Sequence, residues 1–364
     1  MVKKVLFVIG ILGNGGAERV IAALANRLIE NNVEVGIVTI YSTRQDYVLN
    51  SKIKLTHVVA NNKVKIFRPF ERVIKLKNYI QEYNPDCVIS FLADVNIHTI
   101  LACKDSNIPL IVSERNDPYQ DPEQKTIRKM RDFLYNKVDG LVLQTDDAKQ
   151  YFDKRISKKI TRKVIANPLT PKLPFFKGDV VENRLITACR LNSQKNLTMM
   201  INAIKIVNEN GIDCYLDIYG DGPLKKELQN CIEKNNLNDK VHLKGFTNNI
   251  HDEMINSKGF LISSNYEGIS NSMLEALAIG IPVVATDCPI GGAKMFIENK
   301  ENGWLTPVGN EQEFSHAIIE MLSNYDKAKD MGREATKIRN ILDVDIICQE
   351  WINYINDVIK GDKI

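Results

Sequence analysis

Short apolar runs alternate with longer amphipathic stretches along most of the chain. The first run is KKVLFVIG at residues 3–10, and the stretch after it, GGAERVIAALANRLIENN, carries apolar residues at helical spacing. VEVGIVTIY, DCVISFL, PLIVSE and DGLVLQT continue the series as far as Thr145. Strands that are apolar on both faces and separated by helices indicate a parallel sheet covered by helices on both sides. We therefore predict one doubly wound α/β domain here.

A second series of the same kind follows a proline-rich stretch, NPLTPKLPFF, which we interpret as a linker. RLITACR, CYLDIYGDG, VHLKGF and GFLISS predict strands, and helices are predicted over 197–210 and 224–235. A length of 364 residues also suits two domains. We predict Rossmann-like domains at 1–166 and 167–345, with a helix over about 346–364 that crosses back to the first. Because open α/β sheets bind ligands at the carboxyl ends of their strands, the two domains are expected to face each other across a binding cleft.

Composition excludes several classes of protein. With 44% apolar and 26% charged residues, the chain is typical of a globular protein. Its seven cysteines are scattered without a C-x-x-C pair, which favours a reducing cytoplasm over a disulfide framework or a zinc site. No apolar run is long enough for a signal peptide or a membrane span, so the predicted location is cytoplasmic.

Charge is distributed unevenly between the two halves. Residues 1–168 contain 27 Lys/Arg and 18 Asp/Glu, a balance of +9, and the remainder contains 21 and 27, a balance of −6. Two basic stretches, KVKIFRPFERVIKLK and KRISKKITRK, account for much of the excess, and the first interleaves apolar residues. A basic amphipathic stretch suits docking on anionic lipids, here the inner face of the cell membrane. A solvated basic face is the alternative, and nucleic acid ranks third because no stacking platform accompanies the charge.

Glycine-rich turns follow two of the predicted strands. The first is Gly13-Asn-Gly15-Gly16-Ala-Glu18, where glycines bring free backbone N–H groups close to a phosphate or sugar oxygen. It is not G-x-G-x-x-G, and no acidic residue ends the second strand, which counts against a dinucleotide site. A plain strand-to-helix turn remains open as the alternative. The second turn, starting at Gly220, by itself indicates only a tight turn.

Two cations follow the first strand of the second domain. Arg190 and Lys195 lie five residues apart at the predicted carboxyl end of that strand. Arginine binds phosphate through a two-point fork and lysine as a point charge, so the pair suits a diphosphate. A solvated basic loop is the alternative for the pair alone.

The segment NYEGISNSMLEALAIGIPVVAT carries the strongest chemical signal. Ser270, Asn271 and Ser272 are residue types that begin helices, so unpaired N–H groups and the positive end of a helix dipole are expected to face a phosphate. Glu275, about one turn inside that helix, is placed to accept paired hydroxyl groups, as from a ribose, and Glu267 on the preceding loop to accept those of a sugar ring. A capping acid with a separate solvated acid would explain each glutamate alone, but not their company with the cations and glycine turns.

These motifs together resemble the retaining glycosyltransferases of family four, which have the GT-B architecture. The resemblance spans roughly residues 3–308, and its most specific part is Glu-Gly-x-x-Asn-x-x-x-Glu-Ala at 267–276. It implies that Arg190 and Lys195 bind the donor diphosphate, that Glu275 binds the ribose and that Glu267 contacts the donor sugar. It also implies that Phe246 lies near the base. The donor-binding set is then Gly15, Gly16, Arg190, Lys195, Gly220, Gly245, Phe246, Glu267, Gly268, Ile269, Ser270, Asn271, Ser272 and Glu275.

One position departs from the family pattern. Many relatives carry a histidine after the strand that corresponds to PLIVSE, and here that strand is followed by Arg115. We place Arg115 beside Glu267, Arg190 and Lys195 in the predicted catalytic set, where it could hold a phosphate or an acceptor oxygen. His98 is interpreted as a structural helix residue. Asp343-Val-Asp345 is a D-x-D segment that we interpret as surface, so no metal is predicted.

The resemblance implies a retaining transfer of a hexose or N-acetylhexosamine from a nucleotide-sugar. A UDP-sugar is favoured over GDP-mannose by family frequency, and no further cofactor is predicted. The expected acceptor is a glycan, carried on a polyprenyl diphosphate, in the assembly of bacterial surface polysaccharide (capsule, O-antigen, exopolysaccharide) or of a glycoprotein glycan. Alternatives are a nucleotide-sugar 2-epimerase or a phosphorylase of the same fold, and a sugar-nucleotide-binding protein without catalysis.

Overall fold

The computed structural model describes residues 1–180 and 182–361. The chain divides into two compact units, one formed by Met1–Pro168 with Leu342–Ile364 and the other by Leu169–Ile341. Residues 362–364 of the predicted last helix lie outside the described residues. Within the described part, no helix combines the length and apolarity needed to cross a membrane.

The first unit is a seven-stranded parallel sheet between helices. Its strands are β1 Lys4–Ile9, β2 Glu34–Thr39, β3 Lys54–His57, β4 Cys87–Phe91, β5 Leu110–Ser113, β6 Gly140–Leu143 and β7 Thr161–Val164. The helices between them are α1 Gly16–Glu30, α2 Arg68–Tyr83, α3 Ala93–Cys103, α4 Lys125–Leu134 and α5 Asp146–Asp153. The strand order is β3-β2-β1-β4-β5-β6-β7, so the winding reverses direction beside β1.

The second unit is a six-stranded parallel sheet built in the same way. Its strands are β8 Arg184–Ala188, β9 Tyr215–Tyr219, β10 Val241–Gly245, β11 Gly259–Ile262, β12 Val283–Thr286 and β13 Trp304–Thr306, in the order β10-β9-β8-β11-β12-β13. The helices are α6 Leu197–Glu209, α7 Lys225–Lys234, α8 Ile250–Ile255, α9 Asn271–Ile279, α10 Glu311–Ser323 and α11 Tyr325–Ala335. The predicted pair of doubly wound α/β domains is therefore confirmed.

The last helix, α12 (Val344–Lys360), belongs to the first unit. Trp351 is almost fully buried and stacks on Phe91 with ring centroids 5.6 Å apart. The hydroxyl of Tyr354 accepts a hydrogen bond from the backbone N–H of Leu141 at 2.9 Å and donates one to the carbonyl of Thr161 at 2.9 Å. Asp343 caps the helix by accepting from the N–H of Asp345. The D-x-D segment thus begins a helix.

Helix α9 is buried from its third residue onward. Its residues from Met273 to Ile279 are buried, as are those of the neighbouring strand β12. Ser270 begins the helix as a side-chain cap that accepts from the N–H of Met273, and Gly280 ends it in a left-handed conformation with φ of 91°. Serine and glycine are favoured at these two ends because one supplies an acceptor and the other tolerates positive φ. The expected N-terminal cap is confirmed.

The linker is fastened to the second unit. Arg339 donates hydrogen bonds to the carbonyl groups of Leu173, Pro174 and Ala278, and its guanidinium lies 3.7 Å from the ring centroid of Phe175. Contacts with α9 and with the turn that contains Arg339 therefore fix the conformation of residues 169–176, so the linker is not a flexible connection.

Candidate active site

Lys195 lines a small recess at the carboxyl ends of β8 and β11. The other residues that line the recess come from β8 and β11 or directly after them, from α6 and from the start of α9: Thr187, Ala188, Cys189, Leu197, Met200, Ile262, Ser263, Ser264, Ser270 and Ser272. The two strands are adjacent in the sheet, so the loops that follow them lie side by side. One loop carries Lys195 and the other carries Glu267. The topology therefore brings together two candidate residues that are 72 positions apart in the chain.

Glu267 is held by three side chains. Lys195 Nζ forms an ion pair with its Oε2, the hydroxyl of Ser264 donates to Oε2 at 3.1 Å, and Gln194 Nε2 donates to Oε1 at 3.4 Å. Both partners of the ion pair are mostly buried, with side-chain exposures of 16% for Lys195 and 17% for Glu267. A charge pair with additional hydrogen bonds in a shielded place has a fixed geometry. The carboxylate and the ammonium are thus preorganised as one group.

The two loops are joined by backbone contacts as well. Ser193–Lys195 forms a single 3₁₀ turn, and Asn196 leaves it with φ of 45°. The hydroxyl of Ser263 donates to the carbonyl of Lys195 at 2.7 Å, and the N–H of Asn265 donates to the carbonyl of Gln194 at 2.8 Å.

Burial alone would lower the pKa of Lys195, but the Glu267 carboxylate outweighs it and raises that pKa above its usual value. Lys195 is therefore a cation at neutral pH.

The N-terminus of α9 lies at the same recess through Ser270 and Ser272. Their hydroxyl oxygens are 3.2 Å apart, and Ser270 is also the helix cap. The first N–H groups of a helix and its dipole favour a negative charge at this end. Lys195 and a helix N-terminus therefore share one side of the recess.

Glu275 is buried one turn inside α9. The hydroxyl of Thr170, in the linker, donates to its Oε1 at 2.5 Å, and His251 Nε2 of α8 lies 3.3 Å from its Oε2. Both carboxylate oxygens are thus oriented by residues from other elements. A ribose that binds Glu275 as predicted would share this carboxylate with Thr170 and His251.

Arg190 stands apart from the recess. Its side chain is exposed, whereas Lys195 turns inward, and it forms no ion pair in the part of the chain that the structure describes. The neighbouring glycines have a packing role: a Cβ at Gly220 would lie 1.9 Å from the carbonyl oxygen of Cys189, and one at Gly222 would lie 2.4 Å from that of Leu191. The second glycine turn therefore fixes the backbone on both sides of Arg190, and the role of Gly220 as a donor ligand stays a prediction.

Two other predicted segments have different surroundings. Gly245 ends β10 with φ of 77° and open space around it, and Phe246 beside it is 58% exposed, an accessible surface for a planar ring. Gly268 is close-packed instead, because a Cβ at Gly292 would lie 1.7 Å from its carbonyl oxygen. Ile269 is buried, and Asn271 is the first residue of α9. The loop after β12 thus supports the loop of Glu267.

In the first unit, Gly15 and Gly16 form the start of α1. Gly15 precedes the helix without a side-chain cap, and Gly16 is its first residue. A Cβ at Gly15 would lie 2.0 Å from Oε2 of Glu18, whose side chain folds back over the turn and is buried. Glycine at this position leaves room for the Glu18 carboxylate, and the predicted contact of the turn with a donor stays a prediction.

Arg115 follows β5 as predicted and is shielded. Its guanidinium lies 4.1 Å from the ring centroid of Phe91 and 5.7 Å from that of Trp351. Nη1 donates to Asn167 Oδ1 at 3.0 Å. His98, in contrast, has a structural contact: its Nδ1 lies 2.8 Å from the carbonyl oxygen of Asp94.

The structure adds residues that sequence reasoning missed and corrects one detail. Gln194, Ser264 and Thr170 donate hydrogen bonds to the two glutamates, and His251 lies beside Glu275. Of these four residues, only His251 falls outside the segments interpreted from the sequence. The second basic stretch is not wholly a surface feature, since Arg162 donates to the carbonyl groups of its own turn and pairs with a carboxylate at 3.3 Å. Across residues 1–180 and 182–361, no group of three His, Cys, Asp or Glu side chains is arranged to hold a metal ion.

Known proteins resemble this chain over nearly its whole length. Residues 176–338 match the family model described as Glycosyl transferases group 1, and residues 14–171 match that of Glycosyltransferase Family 4. The chain is 28% identical to the GalNAc-alpha-(1->4)-GalNAc-alpha-(1->3)-diNAcBac-PP-undecaprenol alpha-1,4-N-acetyl-D-galactosaminyltransferase of Campylobacter jejuni, over 98% of this chain and 99% of that protein. It is 23% identical to the amylovoran biosynthesis glycosyltransferase AmsD of Erwinia amylovora, over 98% and 100%.

Solved structures share the fold. HepE of Anabaena, determined in complex with UDP-glucose, superimposes with a TM-score of 0.81 at 19% identity, over 97% of this chain and 99% of that one. The two family models adjoin near the boundary between the two units and together span most of the chain. The protein therefore belongs to the family-four glycosyltransferases of GT-B fold and acts in the biosynthesis of a bacterial polysaccharide or glycan.

Proposed function

We propose that the protein transfers a hexose or N-acetylhexosamine from a UDP-sugar to a glycan carried on a polyprenyl diphosphate, with retention of configuration and without a metal ion. The observation that carries the proposal is the preorganised Lys195–Glu267 pair beside the N-terminus of α9. The name of the Campylobacter relative supports it, since that protein acts on a glycan linked to PP-undecaprenol. The UDP-glucose in the HepE structure supports a uridine nucleotide.

In this proposal the second unit stabilises the departing diphosphate. Negative charge grows on the phosphate oxygens as the bond to the anomeric carbon breaks. Lys195 and the N–H groups at the start of α9 lie on one side of the recess and are fixed before the reaction, so they stabilise this charge without reorganisation. Glu267 holds Lys195 and presents its carboxylate to the hydroxyls of the sugar. Retention is attributed to attack from the side of the leaving phosphate, which accepts the proton of the acceptor hydroxyl.

A nucleotide panel tests the proposal. We expect UDP and UDP-sugars to raise the melting temperature of the purified protein, and GDP- and ADP-sugars to have smaller effects, because ligands that bind only the folded state stabilise it by mass action. The best donor is then incubated with a polyprenyl-diphosphate-linked glycan, and the anomeric configuration of the product is read by NMR. If no nucleotide shifts the melting temperature, the donor assignment is wrong, and an inverted product would contradict the mechanism alone.

We also propose that the first unit docks on anionic lipid through α2 and the turn before it. Val64, Ile66, Phe67, Phe70 and Ile74 are more than half exposed there, among Lys63, Lys65 and Arg68. Apolar side chains beside a basic cluster match the chemistry of an anionic bilayer surface, where each cation contributes about 1 kcal/mol. A lipid-linked acceptor would be presented at that surface.

Substituting both Phe67 and Phe70 with serine is expected to weaken binding to anionic vesicles at least about tenfold, because two large apolar side chains no longer enter the interface. Co-sedimentation with vesicles that contain phosphatidylglycerol provides the measurement. Val48→Ser is the matched control, since Val48 is exposed in the same unit outside this surface. Equal binding by the double variant and the wild type would eliminate α2 as the docking element.

A further inference from the structure

Arg115 is a shielded cation that lacks a carboxylate partner. In the described part of the chain it forms no ion pair, and its one hydrogen bond goes to the neutral amide oxygen of Asn167. That same oxygen also accepts from Gln144 Nε2 at 2.8 Å. Burial lowers the pKa of Arg115 to about 9, which leaves it charged at neutral pH. A buried charge without compensation is unfavourable in a folded protein.

The two unused donor groups of Arg115 are adjacent. Nε and Nη2 are both buried, and neither donates to a protein group, while Nη1 is used by Asn167. Nε–H and Nη2–H lie on the same edge of the planar guanidinium and point in parallel, the geometry that binds two oxygens of a carboxylate or phosphate. The ring of Phe91 covers one face of the guanidinium. Asn167 and Phe91 therefore orient the cation and leave its two-point edge unused.

Arg131 is a buried arginine with a structural role, and a carboxylate compensates its charge. Its side chain is fully buried, and the same edge, Nε with Nη2, binds Asp132 Oδ1 at 3.0 and 2.8 Å. The guanidinium donates its remaining hydrogen bonds to two backbone carbonyl groups and to the hydroxyl of Tyr151. The Nε–Nη2 edge of Arg131 thus lies on a carboxylate, whereas the same edge of Arg115 is open.

We propose that the Nε–Nη2 edge of Arg115 binds a diphosphate group of a substrate, which supplies the missing negative charge. This deepens the proposed function and rests on it for the kind of anion, because the proposed donor and the proposed acceptor both carry a diphosphate. Since the edge is shielded, local opening around Arg115 precedes binding, and the bound oxyanion then meets its donors in a low dielectric, where charge-assisted hydrogen bonds are strong. Arg115 acts in this proposal as a binding residue of the first unit.

Stability separates this role from a structural one. Arg115→Met keeps an apolar stem over Phe91 and removes the uncompensated charge, so its melting temperature is expected to equal or exceed that of the wild type. Arg115→Lys keeps the charge but loses the two-point edge. Arg155→Met is the matched control, because Arg155 also lies on an aromatic ring, 3.8 Å from the centroid of Tyr151 in the same unit.

Binding identifies the diphosphate. If Arg115 holds the donor, Arg115→Met and Arg115→Lys weaken UDP binding in calorimetry by about 10–100-fold, the loss expected for a charge-assisted two-point contact. If it holds the acceptor, UDP binding is unchanged and the KM for the polyprenyl-diphosphate-linked glycan rises by about the same factor. Binding of inorganic pyrophosphate, measured by the shift in melting temperature, tests the site without requiring transfer of any sugar. A wild-type protein that binds pyrophosphate through Arg115 but transfers nothing would contradict the proposed function and leave this inference standing.

The proposal is overturned by either of two results. One is a melting temperature of Arg115→Met several degrees below that of the wild type, which would assign Arg115 to structure. The other is binding of UDP, pyrophosphate and the lipid-linked acceptor by Arg115→Lys within twofold of the wild type and of Arg155→Met.

Discussion

Replacing Lys195 with methionine is expected to lower the rate of sugar transfer by about 10²–10³-fold, the loss seen when one preorganised charge-stabilising donor is removed. Lys195 Nζ is the one cationic group among the residues that line the described recess, and the exposed Arg190 is not placed to replace it. The effect should fall on kcat, measured by product formation at saturating donor, because the negative charge that Lys195 stabilises is largest in the transition state.

Glu267→Gln is expected to lower the rate of sugar transfer by a similar factor, because it disrupts the same ion pair. The amide keeps the shape of the side chain but only one accepting oxygen, so it retains at most one of the hydrogen bonds that Ser264 and Gln194 now donate, and it no longer compensates the ammonium. Because Lys195 and Glu267 act as one group, the double variant should be about as slow as the slower single variant, which a double-mutant cycle detects as strong coupling. Fully multiplicative losses would show that the two residues act independently.

Lys258→Met is the control for both. Lys258 belongs to the same unit and is bound to Asn183 Oδ1 at 2.9 Å, outside the lining of the recess, so transfer should stay close to that of the wild type. A comparable loss in Lys258→Met would show that removing any lysine of this unit slows transfer, and the Lys195 result would then carry no site assignment.

Arg131→Met is expected to lower the free energy of unfolding by about 3–5 kcal/mol, the cost of removing one partner from a buried charge network. The substitution removes the nearer cation of Asp132 and leaves Arg155, at 3.9 Å. It also removes the donor from the carbonyl groups of Pro118 and Asp121. Burial already raises the pKa of Glu114, 3.9 Å from Arg131, to about 7. Urea unfolding followed by circular dichroism gives the measurement, with Lys149→Met as the control, since Lys149 pairs with Asp153 in the same unit outside this network.

The loss should depend on pH with a definite sign. Without Arg131 the pKa of Glu114 in the folded state rises further above its unfolded value, so the folded variant holds a proton that the unfolded chain has released. Stability from such a group is present below the unfolded pKa and is lost as pH rises through the folded one. The deficit of Arg131→Met should therefore be larger at pH 8 than at pH 5.5, and an equal deficit at both values would exclude Glu114 from the network.

Much of the fold was accessible from the sequence because its signals are local. Most strands of both sheets are short apolar runs, although the outer strands β3 and β7 are largely polar, and the start of α9 is marked by Ser270. The predicted helix over 224–235 corresponds to α7, which is shorter by one residue at each end. Such patterns depend on neighbours in the chain, which the sequence displays directly.

The arrangement of the site was less accessible because it depends on which strands are adjacent. Lys195 and Glu267 were predicted as ligands of different parts of one donor, and their mutual ion pair arises from the adjacency of β8 and β11. Arg190 and Lys195 looked like one cationic pair, but Arg190 is exposed whereas Lys195 is mostly buried and paired with Glu267. The contact of Thr170 with Glu275 joins residues 105 positions apart and left no mark in the local pattern.

The membership of α12 in the first unit sets an order of events during synthesis. Trp351 and Tyr354 complete the packing around Phe91 and Leu141, yet they are made after every residue of the second unit. Domains generally fold as units while the chain emerges from its N-terminus. The second unit, whose sequence is continuous, can therefore finish folding first, and the first unit must wait until α12 has been synthesised. A C-terminal truncation or a stalled ribosome would leave Phe91 and the surroundings of Arg115 exposed.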